Sequence, residues 1–252
     1  MAERAHLLSL ATALPPHLLW QRDVAAKAHA VFGPYFEDFE RLAGMFTTSG
    51  IEKRYGVKPL DWYLDPRGWP ERTQAYLEGA EALFNEASTA ALAQAGLTGA
   101  DVDTVVTLSS TGIATPSLDA RVFGRMGFRD DVLRVPVFGR GCAGGVCGLT
   151  IAAQLAEARP GSTVLLVALE LCTLAFRLDD FKVANLVATA LFGGAAACNV
   201  TGDVCCRFRI RSSVAFGSVA SIRMIRFVAA GGAGTNSTGL PSGGSLSLRR
   251  AP

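Results

Sequence analysis

Apolar and polar positions along this 252-residue chain fall into blocks with two different periods. In Glu81–Ala95 (EALFNEASTAALAQA), Leu83, Ala87, Ala90 and Ala91 share one side at helical spacing and Gly96 follows as a stop, so a helix is predicted. Asp103–Leu108 (DTVVTL) predicts a short strand, with SSTGIATPS as a loop behind it, and Asp131–Phe138 (DVLRVPVF) predicts another strand. Cys147–Ala158 (CGLTIAAQLAEA) reads as a strongly apolar helix closed by Pro160 and Gly161. Thr163–Leu169 (TVLLVAL) is a continuous apolar run, the pattern of a strand buried on both faces. Helix and strand alternating in this way predict a layered α/β fold around a mostly parallel sheet. At the start, MAERAHLLSLATALPPHLLW is interrupted by Glu3, closed by Pro15 and Pro16, and lacks a small-residue cleavage site. It reads as a first strand rather than a signal peptide.

Composition changes this picture only near the end. Residues 203–252 hold seven arginines, no lysine and one acid, Asp203, a local charge of +6 that leaves the rest of the chain at −4 of the total +2. The pattern there has no clean period of either kind and passes into a Gly/Ser/Thr-rich stretch. The expected organisation is therefore a packed region over residues 1–200 and an atypical, poorly ordered tail over 201–252. The arginines are scattered among Ser, Gly, Ala and Val, which argues against a nucleic-acid arm. The longest apolar run, Thr163–Phe176, contains Glu170 and is too short to span a bilayer, so a cytoplasmic protein with no membrane partner is expected.

Candidate chemistry centres on sulfur. The six cysteines, at 142, 147, 172, 198, 205 and 206, form no paired C-x-x-C arrangement, and the histidines (His6, His17, His29) lie far upstream, so neither a metal site nor a disulfide framework is expected. Cys147, Cys172 and Cys198 read as small buried hydrophobes. Cys142 differs because VFGRGCAGGVCG (137–148) sets it between glycines where a strand gives way to a helix. A helix N-terminus favours the thiolate through free N–H groups and the helix dipole. Flanking glycines leave room for a substrate carbonyl beside backbone amides.

Four segments in order, SSTGIATPSLDAR (109–121), VFGRGCAGG (137–145), VLLVALELCTLAFR (164–177) and NLVATALFGGAAA (185–197), resemble the type III polyketide synthases. SGIEKRYGV (49–57) and ALAQAGLTGADVDTVV (91–106) are similar to the same chalcone synthase-like family, in wording nearest its bacterial branch. The resemblance covers roughly residues 5–200 and implies a thiolase-like αβαβα fold working as a homodimer. It also implies an acyltransferase that loads an acyl group from a coenzyme A thioester onto cysteine and extends it with malonyl-CoA by decarboxylative condensation. Coenzyme A thioesters are then substrates, with no bound cofactor. On this resemblance Cys142 is the nucleophile, Phe192 in LFGG the gatekeeper beside it, and Thr115 the residue reaching towards the partner's cavity. Lys53 and Arg54 then fall near the coenzyme A entrance. Phe176, Arg177 and Glu170 are read as packing, an ion pair and a satisfied polar strand end.

The chain departs from the family in two places. The family's second half brings a catalytic histidine and an asparagine, whereas no histidine follows His29, and Asn199 and Asn236 stand in no family-like motif. LFGGAAA is also one residue shorter than the family's LFGDGAAA. The expectation is a truncated or frame-shifted second half, doubtful full turnover, and an apolar face left uncovered. The alternatives are a non-catalytic fragment or pseudoenzyme pairing with a full-length paralogue, and an enzyme like ketoacyl-carrier-protein synthase III.

Overall fold

The structure is a computed structural model that describes residues 5–202. The Arg-rich tail, apart from Thr201 and Gly202, and Cys205 and Cys206 lie outside the described residues.

In chain order the elements are β1 (His6–Ala13), β2 (His17–Trp20), α1 (Gln21–Phe32), α2 (Phe39–Thr48), β3 (Lys53–Gly56), α3 (Trp69–Ala95), β4 (Thr104–Ser109) and α4 (Leu118–Met126). They continue with β5 (Leu133–Phe138), α5 (Gly144–Ala158), β6 (Thr163–Leu171), α6 (Val183–Leu191) and β7 (Gly194–Gly202). A five-stranded sheet runs in the order β1-β7-β6-β4-β5. β4 pairs in parallel with β5 and with β6, while β7 is antiparallel to both β6 and β1. Four strands therefore share one direction and β7 alone opposes them, which refines the expected mostly parallel sheet.

Chain reversal across β4 explains the layers. The step from β4 to β5 goes one way along the sheet and the step from β5 to β6 goes back over β4. Parallel crossovers of a single hand then place α4 and α5 on opposite faces. On one face α3 and α4 bury Phe84, Ala87, Val122 and Met126 against Val105, Leu165 and Val167. On the other, Ala152 and Ala156 of α5 meet Val106, Val164 and Leu166. A third cluster joins α1, α2 and α6 through Phe32, Phe39, Phe46 and Leu186, together with Leu19 of the separate two-stranded sheet β2–β3.

The helix predicted at Glu81 begins at Trp69, where Pro70 occupies the first turn and Glu71 accepts the Gly68 N–H at 3.0 Å. It ends as expected, with Gly96 in the left-handed region at φ 70°. The predicted α5 starts three residues earlier, at Gly144. On this helix Val146 and Leu149 are 45% and 41% exposed.

Candidate active site

Cys142 sits in a 3-10 turn, Gly141–Ala143, that leads from β5 directly into α5, and its side chain is exposed. Two features place it there. Gly141 takes φ +51°, a backbone state that side chains rarely adopt. Gly144 lets α5 lie against the sheet, since a Cβ there would stand 2.4 Å from Leu108 Cδ2. The sulfur thus stands at the carboxyl ends of the parallel strands, where open α/β sheets carry their sites.

A polar network holds this turn. Gly141 N–H donates to Ser110 Oγ at 2.9 Å, Ser110 N–H donates to Glu170 Oε1 at 2.9 Å, and Thr111 Oγ1–H donates to Glu170 Oε2. Thr111 Oγ1 in turn accepts the Leu171 N–H at 3.0 Å. Nearby, Tyr76 Oη–H donates to Ser109 Oγ at 2.8 Å, and burial pushes the Tyr76 phenol up to about 12. The expected polar strand end at Glu170 is therefore satisfied, and it ties the loop after β4 to the end of β6.

Cys172, read from the sequence as a buried hydrophobe, is only partly buried and lies within electrostatic reach of Cys142. Burial first, and then the Glu170 carboxylate, push its thiol up to about 11. Its signal was weak because it continues an apolar run. With Leu19, Ala28, Tyr63, Phe176 and Phe192 it lines a largely apolar cavity of about 60 Å³, also bordered by Lys27, which pairs with Asp61 at 3.1 Å. Phe192 is thus brought to the wall of a cavity that Cys172 lines and Cys142 does not. Phe176 packs edge-on to Phe32 and Arg177 pairs with Asp179, the packing and ion-pair roles expected of them.

The basic pair divides. Lys53 is exposed on β3, whereas Arg54 is 4% exposed and turned inward. Arg54 Nη1 donates to the carbonyls of Thr189 (2.5 Å) and Phe192 (3.0 Å), and Nη2 donates to Ala190 O (2.7 Å) and Gln21 Oε1. Burial lowers its pKa to about 10, which leaves it cationic at neutral pH. The expectation that Arg54 meets coenzyme A is corrected: its terminal nitrogens are engaged inside the protein. Thr115 is exposed on the loop between β4 and α4 and takes no part in the network around Cys142. Among the described residues no group of His, Cys, Asp and Glu could hold a metal ion. No helix there is long and apolar enough to cross a membrane.

The sequence profile of the chalcone and stilbene synthases, N-terminal domain, matches residues 67–204. The 1,3,6,8-tetrahydroxynaphthalene synthase of Streptomyces peucetius subsp. caesius is 42% identical over 186 residues, covering 74% of this chain and 49% of that protein. The enzyme of the same name from Streptomyces griseus is 32% identical over 199 residues, covering 78% and 52%. The chain thus spans about half the length of these curated relatives. Germicidin synthase from Streptomyces coelicolor, a type III polyketide synthase, superposes with a TM-score of 0.75 at 26% identity, covering 80% of this chain and 60% of that one. The 1,3,6,8-tetrahydroxynaphthalene synthase of Streptomyces coelicolor A3(2) gives a TM-score of 0.73 at 26% identity, covering 77% and 56%. With its glycine-flanked cysteine at the sheet-to-helix turn and its mixed α/β, thiolase-like fold, this chain belongs to the chalcone and stilbene synthase family of type III polyketide synthases.

Proposed function

We propose that Cys142 accepts an acyl group from a coenzyme A thioester. The observation that carries this reading is the exposed Cys142 on the turn opening α5, at the carboxyl ends of β4, β5 and β6. The Cys142 sulfur attacks the thioester carbonyl, a new C–S bond forms, and the bond to the coenzyme A sulfur breaks. The proton that the Cys142 thiol gives up ends on the departing coenzyme A thiolate. Negative charge collects on the carbonyl oxygen in between, and backbone donors aimed at that oxygen would lower the barrier. Gly141 N–H is committed to Ser110 and Gly144 N–H to Gly141 O, so the amides of Cys142 and Ala143 are the donors left on the turn.

In this reading the apolar cavity beside Cys172 and Phe192 receives the acyl chain, with Phe192 as its gate. Lys53 stands on the surface for the coenzyme A phosphates, and Thr115 lies on a loop suited to meet a second protomer. Extension with malonyl-CoA by decarboxylative condensation is the general reaction of the family. The proposal for this chain is confined to loading.

Incubation with an acyl-CoA followed by intact-mass measurement tests it. The expected result is a single acyl adduct that is absent from Cys142→Ala. Without an adduct that depends on Cys142, the loading reading fails.

A further inference from the structure

Buried arginines are expensive to desolvate unless hydrogen bonds offset the cost. At the end of α6 both terminal nitrogens of Arg54 find partners, while its buried Nε has none. The last carbonyls of a helix have no partner within it. Here Ala188 O accepts the Phe192 N–H at 2.9 Å, while Arg54 takes Thr189 O, Ala190 O and, just past the helix, Phe192 O. Gln21, 5% exposed, braces the fork from the far side. Its Oε1 accepts from Arg54 Nη2, and its Nε2 donates to Ala190 O at 3.0 Å and to Phe46 O at 3.2 Å. The turn after α6 is tied to the cavity as well, because Cys172 N–H donates to Gly193 O at 3.0 Å. Arg54, Thr189, Phe192 and Cys172 all line the same cavity.

We propose that Arg54 is a positioning residue for Phe192: its guanidinium fixes the carbonyls at the end of α6 and so sets how far the Phe192 ring closes the cavity over Cys172. The proposal rests on the reading of Phe192 as the gate of an acyl site. A planar, two-pronged cation is required, because both terminal nitrogens hold separate carbonyls at once. Lysine carries the charge but only a single point of attachment. The cation also lies where the helix dipole is negative, which a neutral replacement forfeits.

The test reads the cavity wall and needs no acyl transfer, so it stands apart from the adduct experiment. Cys172 is alkylated with iodoacetamide at pH 9 and followed by peptide mass, alongside hydrogen exchange of the Phe192 and Cys172 amides. For Arg54→Lys, Cys172 alkylation and both exchange rates are expected to rise about tenfold, roughly what loss of one charged hydrogen bond allows. Exchange in β4 and β6 should stay as in the parent. Gln21→Leu, a milder lesion in the same brace, should move Cys172 alkylation in the same direction by about threefold. Phe192→Ala removes the gate, so adding Arg54→Lys to it should leave alkylation unchanged, the non-additivity expected of one unit. Parent-like alkylation and exchange in folded Arg54→Lys and Gln21→Leu would overturn the proposal. So would a full extra effect of Arg54→Lys on top of Phe192→Ala.

Discussion

At the residue scale the two cysteines near the site differ through their surroundings. Cys142 is exposed, whereas burial and the Glu170 carboxylate push the Cys172 thiol up to about 11. Since the thiolate is the attacking form, Cys172 should react slowly near pH 8, with a rate that climbs about tenfold per pH unit until about 11. Glu170→Gln removes the neighbouring negative charge, which should ease ionisation of Cys172 and raise its labelling at pH 9 by about threefold. Peptide-resolved alkylation across pH 7–11 checks both expectations, and a Cys172 rate that is flat from pH 7 to 10 would refute them. The place of Cys142 at the junction of β5 and α5 was legible in the sequence, because the glycines around it mark where strand gives way to helix. Arg54 was not, since a Lys-Arg pair looks solvated. Successive residues of a strand face opposite ways, so β3 turns Lys53 out and Arg54 in. That inward turn depends on pairing with β2, where Leu19 lies opposite Arg54.

At the element scale, α5 sets where the Cys142 turn stands, and its glycines set α5. Gly144→Ala would put a Cβ 2.4 Å from Leu108 Cδ2, and Leu108 is 1% exposed with little room to yield. The first turn of α5 must lift, at about 1–3 kcal/mol of stability, and Cys142 moves with it. Loss of alignment should slow acyl loading about tenfold or more. Gly145→Ala meets nothing within 4 Å and serves as the neutral comparison. Leu108→Val in the Gly144→Ala chain withdraws the clashing methyl and should restore part of the rate. Thermal melts and single-turnover loading check this, and equal behaviour of the two alanine variants would contradict it. The elements themselves were largely legible: β4, β5, α5 and β6 lie within a few residues of their predicted bounds. The first turns of α3 were missed because Gly79 interrupts the pattern. In the fold it is a point of close packing, where a Cβ would approach Val57 Cγ1 to 2.5 Å. The reversal of β7 was also hidden, because an apolar run carries no mark of strand direction.

At the scale of the whole molecule, α5 is apolar on every side, the pattern of a helix covered all round. From Gly144 to Ala156 it has no charged residue, with only Thr150 and Gln154 as polar side chains. Its inner face, Gly144, Gly148, Ala152 and Ala156, is buried, yet Val146 and Leu149 on the outer face stand open beside the exposed Cys142. Adjacent β5 is an edge strand, and Pro136 within it deprives that edge of a donor, which disfavours growth by strand addition. Burial of side chains is then the stronger drive, and two copies of an uncharged face can cover each other without any match of charges. Covering Val146 and Leu149 gains about 25 cal/mol for each Å² removed from water, which favours self-association. Size-exclusion chromatography with light scattering is expected to show a mass of at least two chains for the parent. Leu149→Glu should return it towards one chain, because self-association would bury that charge. Leu7→Glu, on β1 at the opposite edge of the sheet, should leave the mass unchanged. A parent that runs as a single chain and melts cooperatively would mean that this face is covered in solution, and the apolar strip on α5 would then carry no drive to associate.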